Sequence, residues 1–469
     1  MYLHRRKHRI GPGPIFFMIL FILTTIGMGY LFYIDKGKFW DILPFVCMPA
    51  IIISLILIIF NFIRRTRGSS FFVVFFTLSL TGLILSNFFG PFALSRKAEK
   101  SYDNEDYSQS INYYNTLLNN YPNSRLADNA LEKIPYAYYY NSDYTEAITN
   151  FEKAIDSKVI SNNDLEIKVI FEDCYSKLAQ YYYNNEKYSQ SAENYLNAVE
   201  VLEDINSNFH DTDEAFIAIY NIPEYLYKAA LSFNKTKNLE KSIEALENII
   251  NNYNDSEYFD DAGYLLFNTY IDKAAELADN HNYIEGVKEF LKILDLKVQN
   301  NNYNNISDYE KRKVFQSVPP NTLKNIAKNA YDSGSYKKAL FLYEIIVEYN
   351  TELEEEINPL LIDSKLKFIA SSNYNPPAPA VPWRKFWGPE KSILIIENNT
   401  EFDLKVYLKG PECKIIKVEK NTISDEIKII AGTYEAASEL TSPDILTYYY
   451  GEVTYEEGQK YREKYPVSD

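Results

Sequence analysis

Between residues 98 and 370 one pattern recurs six times, and a chain that repeats such a unit is constrained to stack copies of it. The copies align on Tyr107, Tyr144, Tyr188, Leu239, Tyr283 and Tyr336. Three residues after each anchor the side chain is small: Ser110, Ala147, Ser191, Ser242, Gly286 and Ala339. Seven after it stands a large apolar residue: Tyr114, Phe151, Tyr195, Leu246, Phe290 and Tyr343. The tenth and eleventh positions are apolar as well, as in Leu117 and Leu118, Ile249 and Ile250, or Ile346 and Val347. Steps of three, four and seven lie on one face of a helix, so each anchor opens an amphipathic helix. The small residue admits a neighbouring helix and the bulky one fills the space beside it.

Copies such as NSDYTEAITNFEKAI from residue 141 and GSYKKALFLYEIIVEYN from residue 334 resemble the tetratricopeptide repeat. The resemblance implies an all-α solenoid over 95–370 that holds a protein or peptide partner on its concave face. Which residues line that face is not legible, because aromatic residues at helical spacing read first as core. The anchors stand 37, 44, 51, 44 and 53 residues apart, against about 34 in the family, so helices or loops must be extended. Two junctions share Tyr121, Ser124 and Ala130 with Tyr253, Ser256 and Ala262 at identical spacing. The first, NNYPNSRLADNA, is similar to repeats of bacterial envelope assembly factors.

Three uncharged stretches precede the array, at residues 15–33, 42–63 and 71–92. Each has about the 20 residues that cross a bilayer as a helix, which predicts three spans within 15–94. A cleaved signal peptide is the rival reading of the first. Arg5, Arg6, Lys7 and Arg9 in the basic segment 1–14, and Arg64, Arg65 and Arg67 between spans two and three, put the N-terminus in the cytoplasm and residues 95–469 outside. Gly27, Gly29, Ser79 and Gly82 offer close helix approach. No ionisable residue falls within spans two and three, so a transport path through this chain alone is not indicated.

Proline density in residues 371–391 predicts an extended linker, with Trp383 and Trp387 packing onto the C-terminal module. From residue 392 the period becomes two. Seven short strands in 392–469 predict a small β-sandwich. IIAGTYEAAS, with Gly432 and Tyr434, resembles the turn of transthyretin-like or carboxypeptidase-regulatory-like modules, which implies an accessory or binding domain.

Cys47, Cys174 and Cys413 are too dispersed for a disulfide framework and read as packing residues; His4, His8, His210 and His281 do not cluster. No metal or other cofactor is implied. Residues 1–94 carry a net charge of +7 and the remainder −23, which disfavours nucleic acid and anionic lipid and favours neutral or basic proteins as partners. The expected function is a membrane-tethered, non-enzymatic interaction scaffold. Two alternatives stand beside it. One is an accessory subunit of a membrane secretion or transport complex. The other is a polysaccharide-binding or hydrolytic protein using Glu397, Asp403, Glu412, Asp425 or Glu426. Ser207 and Ser438 offer positions for topology labels.

Overall fold

The computed structural model describes residues 36–63, 69–296, 306–385, 391–441 and 446–465, together with Ile26, Met28 and Tyr30. The first predicted span, with Gly27 and Gly29, otherwise lies outside the described residues. The chain forms two compact units, 1–236 and 237–469.

The first unit opens with two apolar helices, α1 (Lys36–Ile63) and α2 (Ser69–Asp103). Where three spans were expected, two described segments are long and apolar enough to cross a membrane, Ile42–Phe60 and Phe72–Asp103. Gly82 lets the two helices approach: a Cβ there would stand 2.9 Å from Cys47 Sγ. Ser79 is buried too.

No helix boundary separates the apolar part of α2 from the array. Past Pro91 the sequence FALSRKAEKSYD holds neither Gly nor Pro, and the helix continues to Asp103. Its last turns bury Leu94 and Ala98 against Tyr114, Leu117, Tyr121, Ala127, Ala130 and Ile134. Further back, Gly90 makes room for the Tyr121 ring.

All six anchors are the first residues of helices. In the first unit these are α3 (Tyr107–Asn120), α5 (Tyr144–Asp156) and α7 (Tyr188–Asn208), interleaved with α4 (Arg125–Tyr140), α6 (Leu165–Asn184) and α8 (Asp213–Lys235). In the second unit α9 (Leu239–Asn252), α11 (Tyr283–Leu291) and α14 (Tyr336–Tyr349) start on anchors, among α10 (Phe259–Asp279), α12 (Asp308–Phe315), α13 (Pro320–Asp332) and α15 (Glu354–Ala370). The small and bulky positions are buried in every copy, from Ser110 and Tyr114 to Ala339 and Tyr343. The long spacings have two sources. Helices α6, α7 and α8 run to 20, 21 and 23 residues, and α12 is an extra helix between α11 and α13.

Two backbone devices set the corners. The residue two before each anchor has positive φ: Glu105, Ser142, Glu186, Lys237, His281 and Gly334. Around five of them the next amide donates back across the turn, as Asp106 to the Ser101 carbonyl and Ser335 to the Ala330 carbonyl, closing the preceding helix in the left-handed cap. Glycine occupies only one of the six, so the other five carry backbone strain that composition does not advertise. The second device explains the shared junction motif. Tyr121 and Tyr253 end their helices, and their carbonyls accept from Ser124 and Ser256 at 3.0 and 3.1 Å. Phe209, Thr212 and Ala218 repeat the spacing, with the Thr212 amide 3.0 Å from the Phe209 carbonyl. Phe for Tyr and Thr for Ser hid this third copy from the sequence pattern.

The C-terminal β region belongs to the second unit. Its strands are β1 (Val381–Lys385), β2 (Lys391–Asn398), β3 (Asp403–Lys409), β4 (Cys413–Val418), β5 (Thr422–Ile423), β6 (Ile427–Ile430), β7 (Gly432–Thr441), β8 (Leu446–Tyr455) and β9 (Gln459–Tyr465). One sheet runs β1-β9-β2-β5 with β6 also on β2, and the other β4-β3-β7-β8. Inward residues of both sheets share one core, including Leu394, Val406, Ile416, Tyr434, Val453 and Tyr461. All seven expected strands are present, with β1 and β5 in addition. Gly432, at φ +151°, has Pro411 where a Cβ would sit, and buried Tyr434 donates to the Ile430 carbonyl at 2.8 Å. Cys413 is exposed at the start of β4, not a packing residue, whereas Cys47 and Cys174 are buried. Ser438 is also buried, 2.6 Å from the Tyr465 hydroxyl.

The proline-rich segment does more than connect. Asn375 exchanges backbone bonds with Tyr448 and Tyr450 at 2.8 and 2.9 Å, Ala378 enters the β core, and Val381–Lys385 pairs with β9. Arg462 lies 5.1 Å from the Trp383 ring; Trp387 lies outside the described residues. Within this unit α15 seats the β region through an ion pair of Lys365 with Glu439, both at least nine-tenths buried. The Tyr407 hydroxyl donates to Glu439 at 2.6 Å. Burial opposes the charge on Glu439, yet Lys365 and Tyr407 hold its carboxyl below the ordinary range. Lys409 pairs with Asp363 on the same helix.

Candidate functional site

A groove of the first unit lies where α2, α3 and α4 meet. Glu99, Tyr102 and Asp103 come from α2, Tyr114 from α3, and Lys133 and Tyr136 from α4, around a cavity of about 280 Å³. The bulky repeat position puts Tyr114 there, and its side chain is wholly buried. Its hydroxyl makes no hydrogen bond with the protein, although buried hydroxyls are nearly always satisfied. Burial first, then Glu99, Tyr102 and Asp103, pushes the Tyr114 phenol up. Burial, followed by Glu166, Asp164 and Glu132, pushes Tyr136 up to about 12. Both phenols are therefore neutral near pH 7 and sit in a negative field. Lys133 Nζ stands 3.4 Å from Glu99 Oε1, with both side chains more than 40% exposed. The Tyr102 ring is fixed edge-on by Tyr107 and Tyr140 at 5.4 and 6.1 Å.

Deeper along the first unit, tyrosines and carboxylates satisfy one another. Tyr139 donates to Asp173 at 2.7 Å and Tyr225 to Glu172 at 2.6 Å. Lys177 pairs with Asp173 at 2.6 Å and lies over the Tyr139 and Tyr144 rings. These groups lock α4, α6 and α8 together. On α8, Phe216, Ile217, Ile219 and Tyr220 are 67, 57, 45 and 63% exposed, an apolar cluster of the kind that marks contact surfaces. In the second unit a wider groove of about 570 Å³ is lined by Ile284, Lys288, Leu291, Asn325, Ile326 and Lys338 among others.

Four of the five candidate carboxylates for hydrolysis are engaged structurally. Glu397 faces Lys464 at 3.2 Å and Arg462 at 3.9 Å. Asp403 accepts the Lys420 amide at 3.1 Å, Glu412 the Ile430 amide at 2.8 Å, and Glu426 pairs with Lys460 at 2.5 Å. Asp425 borders a shallow surface of β4 and β6.

Comparison with known proteins agrees with the helix pairs just described. Residues 91–167 match a family described as an outer membrane lipoprotein, YfiO, and residues 224–256 match a tetratricopeptide repeat family. Residues 224–256 thus carry a tetratricopeptide-type repeat. No curated protein matches it. Among solved structures it is similar to the TPR domain of P58(IPK), at 14% identity over 65% of this chain and 86% of that one, with a TM-score of 0.22. A tetratricopeptide repeat protein from Parabacteroides merdae matches at 13% identity, 59 and 98% coverage and the same TM-score. The TPR2AB domain of yeast Sti1, solved with pHSP90, matches at 15%, 59 and 98%, and 0.19.

Proposed function

We propose that this chain is a membrane-tethered scaffold that displays its tetratricopeptide-type repeats and a C-terminal β-sandwich outside the cytoplasmic membrane, where they bind protein or peptide partners. The observation that carries this reading is the continuity of α2: the helix whose apolar part is long enough to span a bilayer also supplies the first packing surface of the repeats. Orientation rests on the basic residues before α1 and between α1 and α2, and the match of 91–167 to an outer membrane lipoprotein family supports an envelope setting. The turn at Gly432 and Tyr434 supports a transthyretin-like binding module for the β region. We assign no catalytic role.

Single cysteines at Ser207 and Asp425, both exposed, in a cysteine-free background test the topology. Labelling of both by a membrane-impermeant maleimide in intact cells is the expected result, and labelling only after lysis would reverse the orientation. Affinity capture with the full chain should recover a reproducible protein, and its failure would sink the scaffold reading.

A second reading draws on the exposed apolar surface of α1 and α2, where Phe45, Phe62 and Phe88 are 75, 82 and 74% exposed. These faces meet lipid or the spans of a partner. Recovery of an integral-membrane partner only when residues 1–94 are present would make the chain an accessory subunit of a membrane complex.

A further inference from the structure

We propose that the groove between α2, α3 and α4 is a receptor for one Lys or Arg side chain of a partner protein, held against the Tyr102 and Tyr136 rings with its N–H groups on the Tyr114 hydroxyl, Glu99 and Asp103. This inference rests on the scaffold reading and names the chemistry of the partner. Four observations support it. The cavity, about 280 Å³, falls just below the ~300–1,000 Å³ of small-molecule sites, so it suits a single long side chain. The Tyr114 hydroxyl, buried and without a protein partner, offers an acceptor that an incoming N–H satisfies. Leaving such a group unpaired is unfavourable, and binding would relieve it.

Charge and ring chemistry favour a cation. Glu99 and Asp103 line the groove, and Glu132, Asp164 and Glu166 act on Tyr136 from around it. Aromatic faces attract ammonium and guanidinium groups. The cation among the lining residues, Lys133, is half-exposed in a 3.4 Å pair with Glu99. Exposed pairs of this kind are weak, so Lys133 can yield the carboxylate to a better-enclosed partner.

Position favours a peptide over a lipid headgroup. Glu99 and Asp103 follow Phe92, the last residue of the apolar stretch; at ~1.5 Å of rise per residue they stand roughly 10–16 Å beyond it, outside a headgroup layer of about 5–8 Å.

The test uses the full chain in neutral detergent and three labelled Gly/Ser decapeptides carrying two lysines, two Nε-acetyl-lysines or two glutamates. Anisotropy should show binding of the lysine peptide alone. Tyr114→Phe should weaken it about fivefold, as expected for one lost hydrogen bond, without lowering the unfolding temperature. Combined Glu99→Gln and Asp103→Asn should weaken binding at least tenfold, and Lys133→Met should tighten it. Equal binding of the acetylated peptide, no binding of the lysine peptide up to about 1 mM, or undiminished affinity in Tyr114→Phe would each overturn the inference. Capture from envelope extracts separates the two readings. A partner recovered equally by wild type and by Tyr114→Phe/Asp103→Asn defeats the groove but leaves the scaffold, whereas no partner with either defeats the scaffold.

Discussion

Glu463 makes the stability of the β region depend on pH. It points inward from β9, 2% exposed, between Tyr461 and Tyr465 and bonded to the Tyr455 hydroxyl. Burial is the dominant influence and raises its carboxyl from 4.5 to about 7, although hydrogen bonds from Tyr455 and Tyr465 pull the other way. Because the folded value lies above the unfolded one, the folded state binds the proton more tightly. The associated stability is fully present below about pH 4.5 and is lost as pH rises through about 7. At ~1.36 kcal/mol per unit, the loss by pH 8 is about 3 kcal/mol. Glu463→Gln keeps the shape and supplies an uncharged group that Tyr455 and Tyr465 can still bond. The variant should match wild type near pH 5 and exceed it by about 2–3 kcal/mol at pH 8. Urea unfolding followed by tryptophan fluorescence in a Trp40→Phe background reads this directly, since Trp383 stands on β1 beside β9. Glu344 on α14 is raised by burial in the same direction, so a second series with Glu344→Gln keeps the two contributions apart. A wild-type stability that is flat between pH 5 and 8, or a Gln variant less stable than wild type at pH 8, would refute the argument.

Two further outcomes rest on packing. Lys365→Met strands the buried Glu439 carboxylate and should cost about 3–5 kcal/mol, while adding Glu439→Gln should recover most of it; thermal unfolding of the single and double variants measures both. Gly286→Ala places a Cβ 2.9 Å from the Ala274 carbonyl oxygen and 3.3 Å from the Ala278 amide. Neither backbone atom can swing away, so the melting temperature should fall by the equivalent of about 1–3 kcal/mol, whereas Ser110→Ala at the same repeat position, which loses a 2.9 Å bond to the Ala98 carbonyl, should cost about 1 kcal/mol.

The sequence by itself determined the repeat phase. Spacing of small and bulky residues located the first residue of six helices, because burial on one helical face imposes a local periodicity that survives divergence. Period two likewise located seven strands. What the sequence did not carry is non-local. The left-handed corners at Glu105, Ser142, Glu186, Lys237 and His281 have no glycine to announce them, since the helices on either side hold the backbone there. The end of the apolar stretch looked like a domain boundary, yet Leu94 and Ala98 find their packing partners in α3 and α4, across the turn. Tyr114 was legible as core; only the approach of α2 and α4 surrounds its hydroxyl with Glu99, Asp103 and Tyr136. Glu463 obeys the same rule, for alternation places it inward on β9 between Tyr461 and Tyr465, but only the second sheet brings the Tyr455 hydroxyl onto its carboxyl. Local periodicity is written residue by residue, whereas a site is an intersection of elements, and which elements intersect is settled by the tertiary packing.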